Sequence, residues 1–194
     1  MLRVLPRPDP DGVSDAVLVA AARAQDLHAQ EALVRKHGLM LNRLCFRLLG
    51  SREDLDDLVQ ETFLRAFRSL KTLARPEAFR GWLAEIAVRT AHNLIRRRRL
   101  MSRLGLRTSQ PIVIDELIAP AAPLEAMLAL GAIYRIVETL PAKTRIALVL
   151  RRVEGRQLDE VAQLMGASLA SVKRWLAQAD RALAAERGAW EVQG

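Results

Sequence analysis

Leu158, Ala162, Gly166, Val172 and Trp175 stand at the first, fifth, ninth, fifteenth and eighteenth positions of one stretch. That is the spacing of two short helices crossing at a glycine turn. A small residue such as Ala162 is needed where the helices cross, and glycine supplies the positive φ that the turn requires. Val161, Leu164, Met165, Val172 and Leu176 are the expected buried faces. Ser168 is placed to cap the second helix, because its hydroxyl can accept an otherwise unpaired backbone N–H. Leu169, Ala170, Ser171, Lys173 and Arg174 then lie near the exposed N-terminal end of that helix, with Gln178 one turn further on. In a helix-turn-helix this end enters a major groove, where Lys and Arg reach phosphates and guanine edges. An ordinary helical hairpin is the plain alternative, and the basic second helix is what favours DNA. Trp175 is expected in the core rather than stacked on a base.

A second constellation is acidic. Glu53, Asp54, Asp56 and Asp57 crowd what reads as a helix first turn, where negative charge favours the helix dipole. Gln60 and Glu61 extend this polar face, while Leu58, Val59, Phe63 and Phe67 include its apolar side. For an isolated carboxylate, a solvated surface is the default reading. A third constellation follows. Phe79, Arg80 and Trp82 come soon after the loop at residues 70–75, which ends in Arg75, and the two aromatics fit a core more readily than a base platform. Arg89, His92, Arg96 and Arg97 fall at i, i+3, i+7 and i+8, one helical face that could track a phosphate backbone.

The elements that must hold these groups are helical. Apolar residues make up 51% of the chain, enough for a packed core, and aromatics only 4%, which with few β-branched residues disfavours strands. Residues 1–13 carry three prolines and read as a disordered tail. Ser14 offers an N-cap, and a second helix runs over 27–49 to a glycine stop at Gly50. Ser51 is the expected cap of the next helix, which runs to about Leu70; Pro76 suits the first turn of another that finishes in Arg96, Arg97, Arg98 and Arg99. Residues 100–122 lose the helical period and read as a linker, with the apolar run Ile112, Val113, Ile114 suited to docking. Helical patterning returns at Pro123, breaks at Pro141 and Gly155, and ends in the two helices around Gly166. The fold expected is all-α: two small helical domains, 14–99 and 123–194, joined by a flexible linker, the second holding the helix-turn-helix.

The net charge of +8 is uneven, with 18 basic and 12 acidic side chains in residues 1–100 against 12 and 10 in residues 101–194. A basic excess points to a polyanionic partner, nucleic acid being the usual one. The single cysteine, Cys45, excludes an internal disulfide and sits in an apolar context that suits a buried inert thiol. No signal-peptide core and no apolar run of membrane-spanning length is present, so a cytoplasmic protein without membrane insertion is expected. His28, His37 and His92 lack metal-site spacing; no metal, cofactor, catalytic residue or small-molecule substrate is expected, and the protein is read as a non-enzyme.

Three motifs in order resemble bacterial sigma factors of RNA polymerase. Residues 53–67 resemble the polymerase-binding helix. The run from Phe79 to Ala87, followed by arginines, resembles the segment that handles the minus-10 promoter element. Leu140-Pro141, Glu154-Gly155, Leu158 to Ala162, Gly166 and Ser171-Val172-Lys173 resemble the domain that reads the minus-35 element. Length and layout are similar to the extracytoplasmic-function (ECF) group. The resemblance implies that Asp56, Asp57, Leu58, Val59, Gln60, Glu61 and Phe63 bind core polymerase. It implies that Arg75, Phe79, Arg80, Trp82, Arg89, His92, Arg96 and Arg97 serve the minus-10 element, and Ser168, Leu169, Ala170, Ser171, Lys173, Arg174 and Gln178 the minus-35 element. An anti-sigma protein is an implied partner beside core polymerase and promoter DNA. The chain departs from the family pattern at Arg89, where Asn is frequent, at Asn93, where Asp is, and at Trp175, where Arg is. The competing readings are a helix-turn-helix regulator that does not replace sigma, and an interaction protein that keeps the fold without promoter function. The docking helix separates sigma from the first, and recognition-helix charge separates it from the second.

Overall fold

The computed structural model describes residues 12–105 and 133–191, and among these every regular element is helical. Helix α1 (Asp15–Arg23) opens on Ser14, whose Oγ accepts the Val17 N–H at 3.4 Å. Helix α2 (Leu27–Leu49) opens on Asp26, whose carboxylate accepts the His28 N–H at 2.8 Å, and closes on Gly50 at φ 63°. Helices α3 (Leu55–Ser69) and α4 (Phe79–Arg103) are joined by 3₁₀ turns at Leu70–Thr72 and Pro76–Ala78. Leu33, Leu41, Leu58, Phe79, Leu83 and Ala87 meet at the centre where α1–α4 pack, each almost fully removed from water.

Two expectations fail around α3 and α4. Ser51 does not cap α3: the helix starts at Leu55, and Asp54 occupies the cap position at φ 59° without a side-chain cap bond. The cause is Arg98, whose guanidinium donates to the Asp54 carboxylate at 2.9 Å, to Ser51 Oγ at 3.2 Å and to the Glu53 carbonyl. This fork pulls residues 51–54 into a turn, and aspartate tolerates the left-handed backbone that results. Helix α4 also runs to Arg103 rather than stopping near Arg99, so residues 100–103 are helical and not linker.

The second unit comprises α5 (residues 133–139), α6 (Ala142–Leu148), α7 (Leu158–Met165) and α8 (Leu169–Glu191). Residues Val149–Val153, expected as regular helix, wind as a π-turn in which the Glu154 N–H reaches the Val149 carbonyl at 3.0 Å. Gly166 takes φ 57° between α7 and α8, and a Cβ there would meet nothing within 4 Å. Its requirement is therefore conformational, not spatial. Val161 and Val172 are fully buried across this turn and Leu176 nearly so, while Leu164 and Met165 are only half-buried. Residues 1–11, the Ile112–Val113–Ile114 run and the helix start at Pro123 lie outside the described residues.

The two units abut along α4, which packs against α6 and α7, and most of their buried residues form one apolar cluster running from Leu33 to Ile146 and Val161, while Val137, Leu140, Leu148 and Ala179 make a smaller one within the second unit. Arginines cross the junction in both directions. Arg145 of α6 donates to the carbonyls of Leu48, at 3.1 Å, and Leu49, two of the acceptors left open at the end of α2. Arg99 of α4 donates to the carbonyls of Thr139, at 2.8 Å, and Leu140 at the end of α5. A third link joins Arg47 to Glu154 at 2.5 Å.

Candidate nucleic-acid interface

Helix α3 sorts its residues by face. Leu58 and Phe63 are 2% and 6% exposed and belong to the core, so they support the polar face from behind and do not form it. Asp56, Asp57 and Gln60 are exposed, and Val59 and Glu61 are partly so. Glu61 accepts from Arg65 Nε at 2.6 Å, one turn on. Asp57, Glu61 and Arg65 line one wall of a groove of about 520 Å³, with Leu94, Arg97 and Met101 of α4 on the other. The groove carries both carboxylates and arginines beside apolar side chains, and the acidic charge outside it lies on Asp56, exposed on the same helix.

The loop between α3 and α4 is held from an unexpected direction. Arg23, at the end of α1, donates Nε to the Leu70 carbonyl at 3.3 Å and a terminal nitrogen to the Leu73 carbonyl. Leu70 and Leu73 are buried beneath the loop, and Arg75 stands exposed at its end. Of the residues expected at the minus-10 element, Phe79 is the clear correction. It is 0% exposed, with His37 over it at 5.2 Å between ring centres and Trp82 at 6.1 Å, so it builds the core and cannot stack a base. Trp82 is half-buried and Arg80 is exposed.

Along α4, Arg89, Arg96 and Arg97 are exposed as their spacing predicts. Arg89 is tied to Glu85 at 3.0 Å, and Glu85 also accepts from Gln163 of α7 at 3.3 Å. His92 and Arg96 line a groove of about 840 Å³ whose far side is Lys143, Trp175 and Gln178 of the second unit. Burial lowers the His92 pKa, and the nearby charges of Lys143 and Arg96 lower it further, so this imidazole is neutral at pH 7. It can take or give a hydrogen bond but adds no positive charge to the track.

On α8 the expected contact residues divide. Ser168, Leu169, Ala170, Lys173 and Arg174 are exposed at its N-terminal end and Ser171 is half-buried there. Ser168 Oγ accepts the Ser171 N–H at 3.3 Å, the cap expected of it. Gln178 lies apart from them: its Oε1 accepts from Thr144 Oγ1 at 2.7 Å, on the wall facing α4. Trp175 is half-buried, with Lys143 Nζ 5.5 Å from its ring centre, a cation–π distance. The residues that sequence reasoning missed are the arginines that shape these surfaces from within, Arg23, Arg98, Arg99 and Arg145. Their partners lie far away in sequence, main-chain carbonyls for all four and also the Asp54 carboxylate and Ser51 hydroxyl for Arg98, which no local spacing reveals.

Two family models match. Sigma-70 region 2 covers residues 33–100, and Sigma-70 region 4 covers residues 130–183. Among curated proteins, the chain is 32% identical over 174 residues to the ECF RNA polymerase sigma factor SigE of Mycolicibacterium smegmatis, covering 88% of this chain and 65% of that relative's length. It is 28% identical over 178 residues to the ECF RNA polymerase sigma-E factor of Escherichia coli, covering 88% and 93%. Among solved structures, CnrH in complex with the cytosolic domain of CnrY aligns at TM-score 0.57 and 28% identity over 90% of this chain and 97% of that one. The sigma factor RpoE of Bartonella quintana, bound to the anti-sigma factor NepR, aligns at TM-score 0.59 and 18% identity over 79% and 92%, a likeness of fold alone.

Proposed function

The chain belongs to the sigma-70 family, in its ECF group, and from that premise we propose that it binds core RNA polymerase, brings it to specific promoters and helps open them. It is an initiation factor, and the chemistry of RNA synthesis belongs to the polymerase. The exposed acidic face of α3, Asp56, Asp57 and Gln60, docks on a basic helical element of the polymerase, with Leu58 and Phe63 holding that face in place. Arg75, Arg80 and the flank of Trp82 receive the melted minus-10 strand, and Arg89, Arg96 and Arg97 follow its phosphates. The N-terminal end of α8 enters the major groove at the minus-35 element. Lys173 and Arg174 supply phosphate or guanine contacts there, and Ser168 holds the helix end that presents them. An anti-sigma protein is a further partner, a reading supported by the solved relatives having been captured with protein partners.

The observation that carries this reading is the division within α3. Its apolar residues are consumed by the core while neighbouring carboxylates stay in solvent, so the acidic face is available to a partner. The decisive experiment reconstitutes the chain with core polymerase and maps transcript starts on genomic DNA. Specific initiation is expected, and absence of both initiation and a stable complex would sink the proposal. Charge reversal, Asp56→Lys with Asp57→Lys, is expected to weaken core binding more than tenfold. Retained DNA binding by the same double variant would show that the two surfaces act separately, and loss of both would overturn that division.

A further inference from the structure

The arginines at the junction do more than cap helices. Where α4 passes α5 and α6 they surround a cavity of about 270 Å³, lined by Arg98, Arg99, Arg103 and Arg145 against two carboxylates, Glu53 and Glu138. Four fixed positive charges thus face two carboxylates in the lining and a third, Asp54, paired with Arg98 at 2.9 Å just outside it. This leaves a positive excess in a partly desolvated space, where like charges repel more strongly than in water. The electrostatics record that excess. Burial lowers the Arg99 pKa and its neighbour Arg103 lowers it further. Burial likewise brings Arg145 down to about 10; Glu138 opposes that shift, while Arg98 and Arg99 add to it.

The donors are not exhausted by the contacts already made. A guanidinium carries five N–H groups in a planar fork. Arg99 uses its two terminal nitrogens on the Leu140 and Thr139 carbonyls, and Arg145 uses Nε and one terminal nitrogen on Leu48 and Leu49. Arg103 is exposed at the mouth. The hydroxyls of Ser51, Ser102 and Thr139 share the lining. The volume is too small for a nucleic-acid duplex. A carboxylate offers two oxygens, whereas a phosphate offers enough to engage several forks at once and more charge to offset the excess.

We propose that this junction cavity is a binding site for a small phosphate-class anion, held by Arg98, Arg99, Arg103 and Arg145. Because those arginines come from both units, an occupied site ties α4 to α6, and binding favours the arrangement in which the units abut. The proposal stands independently of the promoter-reading surfaces.

The test is calorimetric titration of the full chain with sodium tripolyphosphate at constant ionic strength. One anion per chain is expected. Arg103→Gln, at an exposed position that leaves the fold intact, should weaken binding at least fivefold. Glu138→Gln, which removes an opposing charge, should tighten it about threefold. Arg35→Gln and Arg181→Gln, exposed arginines elsewhere, should change it less than twofold. Competition separates the sources. Displacement by ATP assigns the site to a nucleotide's phosphate tail, and resistance to ATP assigns it to free polyphosphate. Several anions bound per chain, or equal weakening by the Arg35 and Arg103 variants, overturns the proposal in favour of diffuse attraction to a basic protein.

Discussion

Arg145 and Arg99 perform one task in opposite directions, and they differ in how much water they keep. Each leaves its own unit to donate to the last carbonyls of a helix in the other. Arg145 is 5% exposed, surrounded by the end of α2, Tyr134 and Glu138, whereas Arg99 is only half-buried. A carbonyl capped by a buried arginine has no alternative donor when that arginine is lost. One capped at a wet edge can turn to solvent. The same residue type is therefore fixed structure on one side of the junction and an adjustable group on the other.

The largest test of that contrast is Arg145→Met. It strands two main-chain acceptors and removes one of the positive charges opposite Glu138, and should cost about 3 kcal/mol. Chemical denaturation of the full chain reads this as a lowered midpoint. Gly50→Ala comes next, expected at about 1–2 kcal/mol. The added Cβ would meet an Arg145 terminal nitrogen at 3.0 Å and the Tyr134 ring at 3.3 Å on a backbone already at φ 63°. If Gly50→Ala proves neutral, Arg145 is not held where its contacts place it. Arg99→Met should cost less than Arg145→Met, since Thr139 is exposed and water can replace its lost donor, so that only the carbonyl of the buried Leu140 is left short. A cost equal to that of Arg145→Met would remove burial as the deciding variable.

The smallest effect is a pH dependence. Burial, Lys143 and Arg96 depress the His92 pKa below its ordinary 6.5, so the folded chain resists protonating it. The stability this contributes is complete above 6.5 and is lost as pH falls through the depressed folded value. Acidification from about pH 7.5 to about 5.5 is expected to lower the denaturation midpoint, and His92→Gln should flatten that slope. Identical slopes in the two proteins would exonerate the histidine.

Local signals were legible and distant ones were not. The glycine stop at Gly50, the caps at Ser14 and Ser168, and the turn at Gly166 follow from chemistry contained within a few residues. The acidic face of α3 was equally readable, because period and charge lie on the same short segment. Ser51 misled because its hydroxyl answers to Arg98, 47 positions away. Arg98 and Arg99 stood in the sequence only as the basic end of a helix, outside the face formed by Arg89, His92, Arg96 and Arg97. Their real acceptors are Asp54, Ser51 and the end of α5. Arg145 gave no sign at all, since a lone cation in an apolar run does not announce a carbonyl 97 residues earlier. Phe79 was placed among the DNA contacts by family pattern, although an aromatic at helical spacing is more often interior, and interior is where it sits.

Cys45 gives this molecule a practical property. It is the chain's one cysteine, it is 0% exposed, and burial pushes its thiol up to about 12. To a maleimide reagent at neutral pH the native protein is close to blank. Cysteines introduced at the exposed positions Ala24 and Ala177 can therefore carry a donor and an acceptor dye without first removing the native thiol. The separation of the two units then becomes a distance that can be followed one molecule at a time, as polymerase, promoter or anion is added.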